Sequence, residues 1–180
     1  NKLNRYQSGR NWFISVDEVQ RYWCPNGTVN GNGWNPPDIP NLFNYGDPGA
    51  ALVDESGKAN TQTIINCSYF IYRPNGESDT LNTSNCAAKY CAEYKKGGLQ
   101  WYLPSLGQWY QVQKNLTKVN EVLNKLNKTP ISNDWYWTST EVAEWGAWKF
   151  YFPTSTNRPA SQDKKYSFKV RPMTELPLPQ

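Results

Sequence analysis

The chain has no histidine among its 180 residues and a single methionine. The missing imidazole excludes every His-dependent triad, every His-metal site and any imidazole general base, which removes much of hydrolase chemistry. No apolar run approaches the length of a membrane span. The amino end, NKLNRYQSGR, lacks the apolar core of a signal peptide, so the chain is expected to be a mature or excised segment. No Cys-x-x-Cys pair suggests zinc or redox chemistry, and no block of like charge exceeds the pair Lys95, Lys96. A nucleic-acid binder concentrates its basic residues into a patch or stripe. The net charge of +4 is spread instead along the chain and reads as solubility.

Aromatic side chains are abundant, with 9 Trp, 12 Tyr and 6 Phe. Such rings supply broad, rigid contact area at low entropic cost, in cores and on recognition surfaces alike. Four cysteines, Cys24, Cys67, Cys86 and Cys91, suit two disulfides in an oxidising compartment. Three pairings are possible; Cys24 with Cys67 and Cys86 with Cys91 is the favoured one, and buried free thiols are the alternative. Asn-x-Ser/Thr triplets at Asn26, Asn66, Asn82, Asn115 and Asn127 matter in a eukaryotic secretory pathway alone. The expected location is extracytoplasmic.

Along the chain, residues 11–23 read as a short strand entering a short helix, with Asp17 and Glu18 in its first turn. Residues 24–57 carry loop chemistry, dense in Pro, Gly, Asn and Asp. A helix is predicted over about 85–96, ended by Gly97 and Gly98. A second begins at Ser105, which forms a capping box with Gln108. Its apolar stripe runs through Trp109, Val112, Leu116, Val119, Leu123 and Leu126 and reads as core packing. After Pro130 the runs WYWTST, AWKFYF and YSFKV read as strands. Helices followed by strands predict a single α+β domain with an antiparallel sheet.

The strings GGLQWYLPSLGQW, YWTSTE, GAW and KVRPM, in this order, resemble the bacterial Lcl C-terminal domain family and its Fibrobacter paralogous relatives. The resemblance is strongest over residues 87–173 and extends back toward Gly57. It implies a C-type-lectin-like fold, two helices packed on a small twisted antiparallel sheet with long loops. WYLPS is also similar to a motif of formylglycine-generating enzymes. Those enzymes use cysteines late in the domain, whereas the last one here is Cys91, ahead of the motif, so that activity does not carry over. Some members are variable proteins of diversity-generating retroelements, with diversity between the second and last motifs. Here that interval holds VAEWG, KFY and PTSTNRPASQDKK.

The remaining chemistry is weighed on residues. Glu141, in YWTSTE, reads as a structural carboxylate accepting hydrogen bonds from the following turn. A carboxylate-based hydrolase using Glu141 and Glu144 is the enzymatic alternative. Asn133 and Asp134 beside Trp135 do not make the usual lectin calcium triplet, so no classical calcium site is expected, a structural ion being the alternative; no cofactor is expected. By strand alternation Trp137, Trp148, Phe150 and Phe152 face the core, while Lys149 and Tyr151 point outward. The expected function is a non-catalytic bacterial cell-surface or secreted ligand-binding domain, adhesin-like. Its contacts with a protein or carbohydrate ligand come from Trp145, Lys149, Tyr151, Glu144, Asn157 and Arg158. The alternative is a structural or assembly subunit of a surface appendage.

Overall fold

A computed structural model describes residues 11–23, 27–29, 32–34, 39, 41–67, 70–72, 78–80, 86–143, 146–152 and 159–176. In chain order the strands β1 (Asn11–Ile14), β2 (Val19–Tyr22), β3 (Gly27–Val29) and β4 (Asn32–Trp34) come first. Helices α1 (Pro48–Ala51) and α2 (Gly57–Ile65), then strands β5 (Phe70–Tyr72) and β6 (Ser78–Thr80), follow. Next are α3 (Ala87–Glu93), β7 (Trp101–Tyr102), α4 (Leu106–Lys114) and α5 (Leu116–Lys125). The chain ends in β8 (Asp134–Ala143), β9 (Gly146–Phe152), β10 (Pro159–Asp163), β11 (Ser167–Val170) and β12 (Met173–Leu176).

The main sheet has the order β10-β9-β8-β11-β2, and a second sheet has the order β1-β12-β7. Among the described residues the named strands pair antiparallel except β11 with β8. The class is therefore α+β, as the order of patterns predicted. Each face of the main sheet carries a core. One gathers Trp23, Ile64, Ala88, Cys91, Trp137 and Val170 beneath α2 and α3. The other gathers Leu106, Trp109, Tyr136, Trp148, Phe150 and Phe152 beneath α4. Alternation sends Tyr136, Trp148, Phe150 and Phe152 to one face and Trp137 to the other, so these aromatic strands feed two cores rather than one patch.

Four expectations differ from the structure. Asp17 and Glu18 do not open a helix: the segment continues as β2, because its backbone pairs with β11 from Val19–Val170 to Tyr22–Ser167. The loop-like stretch 24–57 contains the hairpin β3–β4 and α1, whose N-cap Asp47 accepts the Ala50 N–H at 2.8 Å. Helix α2 has no counterpart among the predicted elements, because it carries no strong apolar stripe. The long helix is interrupted at Asn115 (φ −116°, ψ 14°), which ends α4 and begins α5. Beyond the break Leu123 is buried, whereas Val122 and Leu126 are exposed.

The cysteines also differ. Cys67 and Cys91 are buried thiols, and Cys86 is buried at the start of α3. Cys91 packs with Trp23, Ala87 and Ala88 as a small apolar group rather than in a bridge, and Cys86 is the N-cap residue of the same short helix. Burial pushes the Cys91 thiol well above its ordinary pKa, which holds it protonated. Cys24 lies outside the described residues.

Close backbone approach explains one glycine. A Cβ on Gly107 would stand 2.4 Å from the Asp54 carbonyl oxygen and 2.8 Å from that of Leu52. The Gly107 N–H donates to that same Asp54 oxygen at 2.9 Å, so the first turn of α4 is seated on the chain ahead of α2. Gly107→Ala must push this turn away and is expected to cost about 1–3 kcal/mol in a urea melt.

Candidate functional site

The family-like motifs lie together, and they lie inside. Asp54, 2% exposed, is their meeting point. Its Oδ2 accepts Thr140 Oγ1 at 2.7 Å and Asn60 Nδ2 at 2.9 Å, and its carbonyl accepts Ser105 Oγ at 2.6 Å. The Leu106 N–H donates to Thr140 Oγ1 at 2.8 Å, and the Ser139 N–H to the Pro104 carbonyl at 2.8 Å. Trp109 Nε1 reaches the Trp137 carbonyl at 3.0 Å, and Trp23 Nε1 the Thr138 carbonyl at 2.8 Å. WYLPS and YWTSTE are thus two halves of one hydrogen-bonded joint between α4 and β8. Every polar atom named here serves another protein atom, so the joint is bonded within the scaffold.

Two buried ion pairs extend this scaffold. Glu141 and Lys164, with fully buried side chains, pair directly, and the ammonium lies 4.9 Å from the Trp23 ring centroid. Glu141 also accepts the Ile39 N–H at 3.4 Å. The bonds to Glu141 named here come from Lys164 and from Ile39, far ahead in the chain, rather than from the turn that follows it, and they hold the carboxylate away from solvent. The second pair belongs to the VRP motif. Arg171, fully buried, donates to Glu18 Oε2 at 2.8 Å and to the Ser15 and Thr129 carbonyls. Tyr136 Oη donates to the same oxygen at 2.6 Å, and Lys169 Nζ meets Glu18 Oε1 at 2.9 Å.

Burial works to raise the Glu18 pKa, but the bonds from Tyr136, Arg171 and Lys169 outweigh it and hold the group below its ordinary 4.5. The folded pKa is the depressed one. Its stabilisation is therefore present above about pH 4.5 and is lost as pH falls through the lower folded value. Thermal melts should show Glu18→Gln clearly less stable than the parent at pH 7, with the gap closing below pH 4.

The residues predicted to bind ligand divide three ways. Glu144, Trp145, Asn157 and Arg158 lie outside the described residues. Tyr151 is half-buried, with its ring 5.0 Å from that of Trp135. Lys149 does not point into solvent as alternation predicted: it is 7% exposed. The face was read correctly and the depth was not. Cross-strand pairing places Lys149 opposite Trp137 and Tyr151 opposite Trp135, and Phe168 on β11 closes over the ammonium. Lys149 Nζ stands 4.3 Å from the Trp135 centroid and 4.2 Å from that of Phe168, and donates to Gln162 Oε1 at 3.0 Å. Burial lowers its pKa.

Farther along this face Arg21 lies 4.8 Å from the Tyr90 ring, next to Phe168 in register. Cations and half-buried rings therefore run across one side of the main sheet from β2 to β9. Sequence reasoning missed Trp135, Phe168 and Gln162. Trp135 was within reach of the alternation argument, being two residues from Trp137; Phe168 and Gln162 join through strand order, which has no local signal. Among the described residues no group of three or more His, Cys, Asp or Glu side chains converges as a cation site.

Fold and site together define an α+β scaffold in which the described motif residues serve the interior and one sheet face carries rings and cations. The fold is similar to that of a solved structure, a fimbrial protein from Bacteroides ovatus ATCC 8483, with a TM-score of 0.61 and 16% identity. The likeness covers 90% of this chain and 35% of that one, so the chain spans about a third of that protein's length. No family model matches the chain. No curated protein matches it.

Proposed function

We propose that this chain is a non-catalytic domain of a bacterial surface appendage, acting as a structural or assembly subunit. The observation that carries the reading is the likeness to a fimbrial protein over nine-tenths of the chain. Two features support it. The carboxylates Glu18, Asp54 and Glu141 are each engaged within the scaffold, so the hydrolase alternative has no group to offer at Glu141. No helix among the described residues is long and apolar enough to cross a membrane. The location under this reading is the cell surface or the secreted appendage.

The test is fractionation. Appendages sheared from cells that express the protein should contain the chain, and deletion of its gene should shorten, destabilise or abolish them. Recovery of the chain in the cytoplasm of intact cells, with appendages unchanged by the deletion, would overturn the reading.

A second reading is that the same domain binds a protein or glycan ligand, as an adhesin does. It is favoured by the half-buried Trp135 and Tyr151 rings beside Lys149, because ring faces next to a cation suit stacking and orientation. The membership of the Lcl-related family, the C-type-lectin-like fold and a diversified surface between YWTSTE and VRP belong to this proposal. What supports them is the motif order, together with the way those motifs interlock around Asp54. A repeat of the final coding segment beside a reverse transcriptase gene would be the sign of diversification.

A further inference from the structure

The motif GGLQWYLPSLGQW has two halves in different surroundings. Its back half is bonded to β8 and to Asp54, whereas Leu99, Gln100 and Trp101 of its front half line an open crevice of about 250 Å³. Another wall is one face of α2, where Lys58, Thr61, Gln62 and Ile65 recur at steps of three and four residues. Ala92 of α3 and Lys95 just beyond it contribute as well. Gly97 and Gly98, both left-handed (φ 69° and 68°), fold the chain back after α3, so that Lys95 and Trp101 line the same space. The walls are fixed by the protein's own bonds. Trp101 Nε1 donates to the Lys96 carbonyl at 2.9 Å, its ring stands 5.1 Å from that of Tyr94, and the Leu103 N–H donates to Thr61 Oγ1 at 2.9 Å. Of the nearby lysines, Lys89 pairs with Glu93 at 3.2 Å and Lys96 with Asp17 at 3.0 Å. Among the described residues neither Lys58 nor Lys95 has an ion pair, and no carboxylate lines the crevice. Both lysines are exposed, so the crevice is open to a ligand and positive where the ligand would enter.

We infer that this crevice between α2, α3 and β7 receives one acidic sugar unit, whose carboxylate meets Lys58 and Lys95. This rests on the ligand-binding reading of the domain and names a site and a ligand class for it. Size selects a single unit: pockets for drug-sized ligands start at about 300 Å³, and this one falls just below that. Chemistry selects the class. Ile65, Ala92, Leu99 and the half-buried Trp101 offer apolar surface to the C–H side of a sugar ring. The Gln62 and Gln100 amides offer donors and acceptors to its hydroxyls, and Gln62 is steadied by its bond to Asn66 Oδ1 at 2.9 Å. An acidic peptide fits less well, because adding a strand needs a free backbone edge. One edge of β7 is paired with β12, and just beyond β7 the Leu103 N–H is taken by Thr61. Inorganic phosphate would use the lysines and leave the apolar wall idle. Because both cations are exposed, the attraction is screened and should weaken with salt.

The test is an NMR titration of the full chain with methyl glucuronoside, its neutral counterpart methyl glucoside, and inorganic phosphate. At low salt the wild type should bind the glucuronoside about tenfold more tightly than the glucoside, and high salt should shrink that preference. A double variant, Lys58→Gln with Lys95→Gln, should lose the preference, bind the glucoside as the parent does and melt where the parent melts, since both side chains are exposed. A second double variant, Gln62→Ala with Gln100→Ala, also at exposed positions, should weaken both sugars and keep the preference. Equal binding or no binding of the two sugars by the wild type overturns the inference. So does a preference that survives in the lysine variant, or phosphate bound as tightly as the glucuronoside. Glycan binding on an array that survives in the lysine variant and is lost in Tyr151→Ala overturns this site and leaves the ligand-binding reading standing, whereas a silent array counts against both. The assembly role is read separately, by following wild-type and lysine-variant chains into sheared appendages.

Discussion

Replacing Lys164 with Met should cost the fold about 3–5 kcal/mol, because the Glu141 carboxylate loses its cation in a site without solvent. For a domain of this length that lowers the melting temperature by roughly 6–20 °C. The effect belongs to the imbalance rather than to the pair. A double variant, Lys164→Met with Glu141→Gln, removes both charges, retains an acceptor for the Ile39 N–H, and should recover most of the loss. Thermal melts of the parent, the two single variants and the double variant close a cycle that measures the coupling directly. A Lys164→Met protein as stable as the parent would show that Glu141 is neutral in the fold, and the structural account of the YWTSTE motif would need revision.

Trp109→Ala should cost a similar amount, about 3–5 kcal/mol. Trp109 is fully buried, with its ring 5.3 Å from Tyr136 and 5.3 Å from Phe152. Its indole N–H also satisfies the Trp137 carbonyl at 3.0 Å. Truncation therefore opens a cavity between α4 and the main sheet and strips a partner from a buried acceptor at the same time. Trp109→Phe keeps most of the volume and loses the hydrogen bond, so it should fall between the parent and Trp109→Ala. Equal losses for Phe and Ala would mean that the hydrogen bond, and not the packing, holds this helix in place.

The parts of the fold legible in the sequence are those with a local code. The capping box of Ser105 and Gln108 marks the start of α4 because both partners lie within one turn. Period-two alternation assigned Trp137, Trp148, Phe150 and Phe152 to the interior, where they are found. The break at Asn115 escaped the same reasoning, since apolar steps of three and four residues continue across it and only backbone angles reveal it. Asp17 and Glu18 suggested a helical first turn by their charge, yet β2 is extended because β11, far along the chain, offers it a hydrogen-bonding edge.

For the candidate site the limit is sharper. Alternation placed Lys149 and Tyr151 on one face of β9, and they share it. It could not tell how deep that face lies, because depth depends on what the neighbouring strands and their side chains put over it. Phe168 covers Lys149 only once β11 is inserted beside β8.

Composition alone determined that no imidazole chemistry is open to this chain, and patterns confined to a few residues determined its α+β class and most of its buried rings. The tertiary structure decided which charges are paired. Lys164 meets Glu141 across 23 residues and Arg171 meets Glu18 across 153, separations no sequence period can encode. It also left Lys149 buried among rings with no carboxylate among the described residues. Such pairings arise where strand order brings distant residues together, and their energies come from exclusion of water, which is a property of the assembled fold.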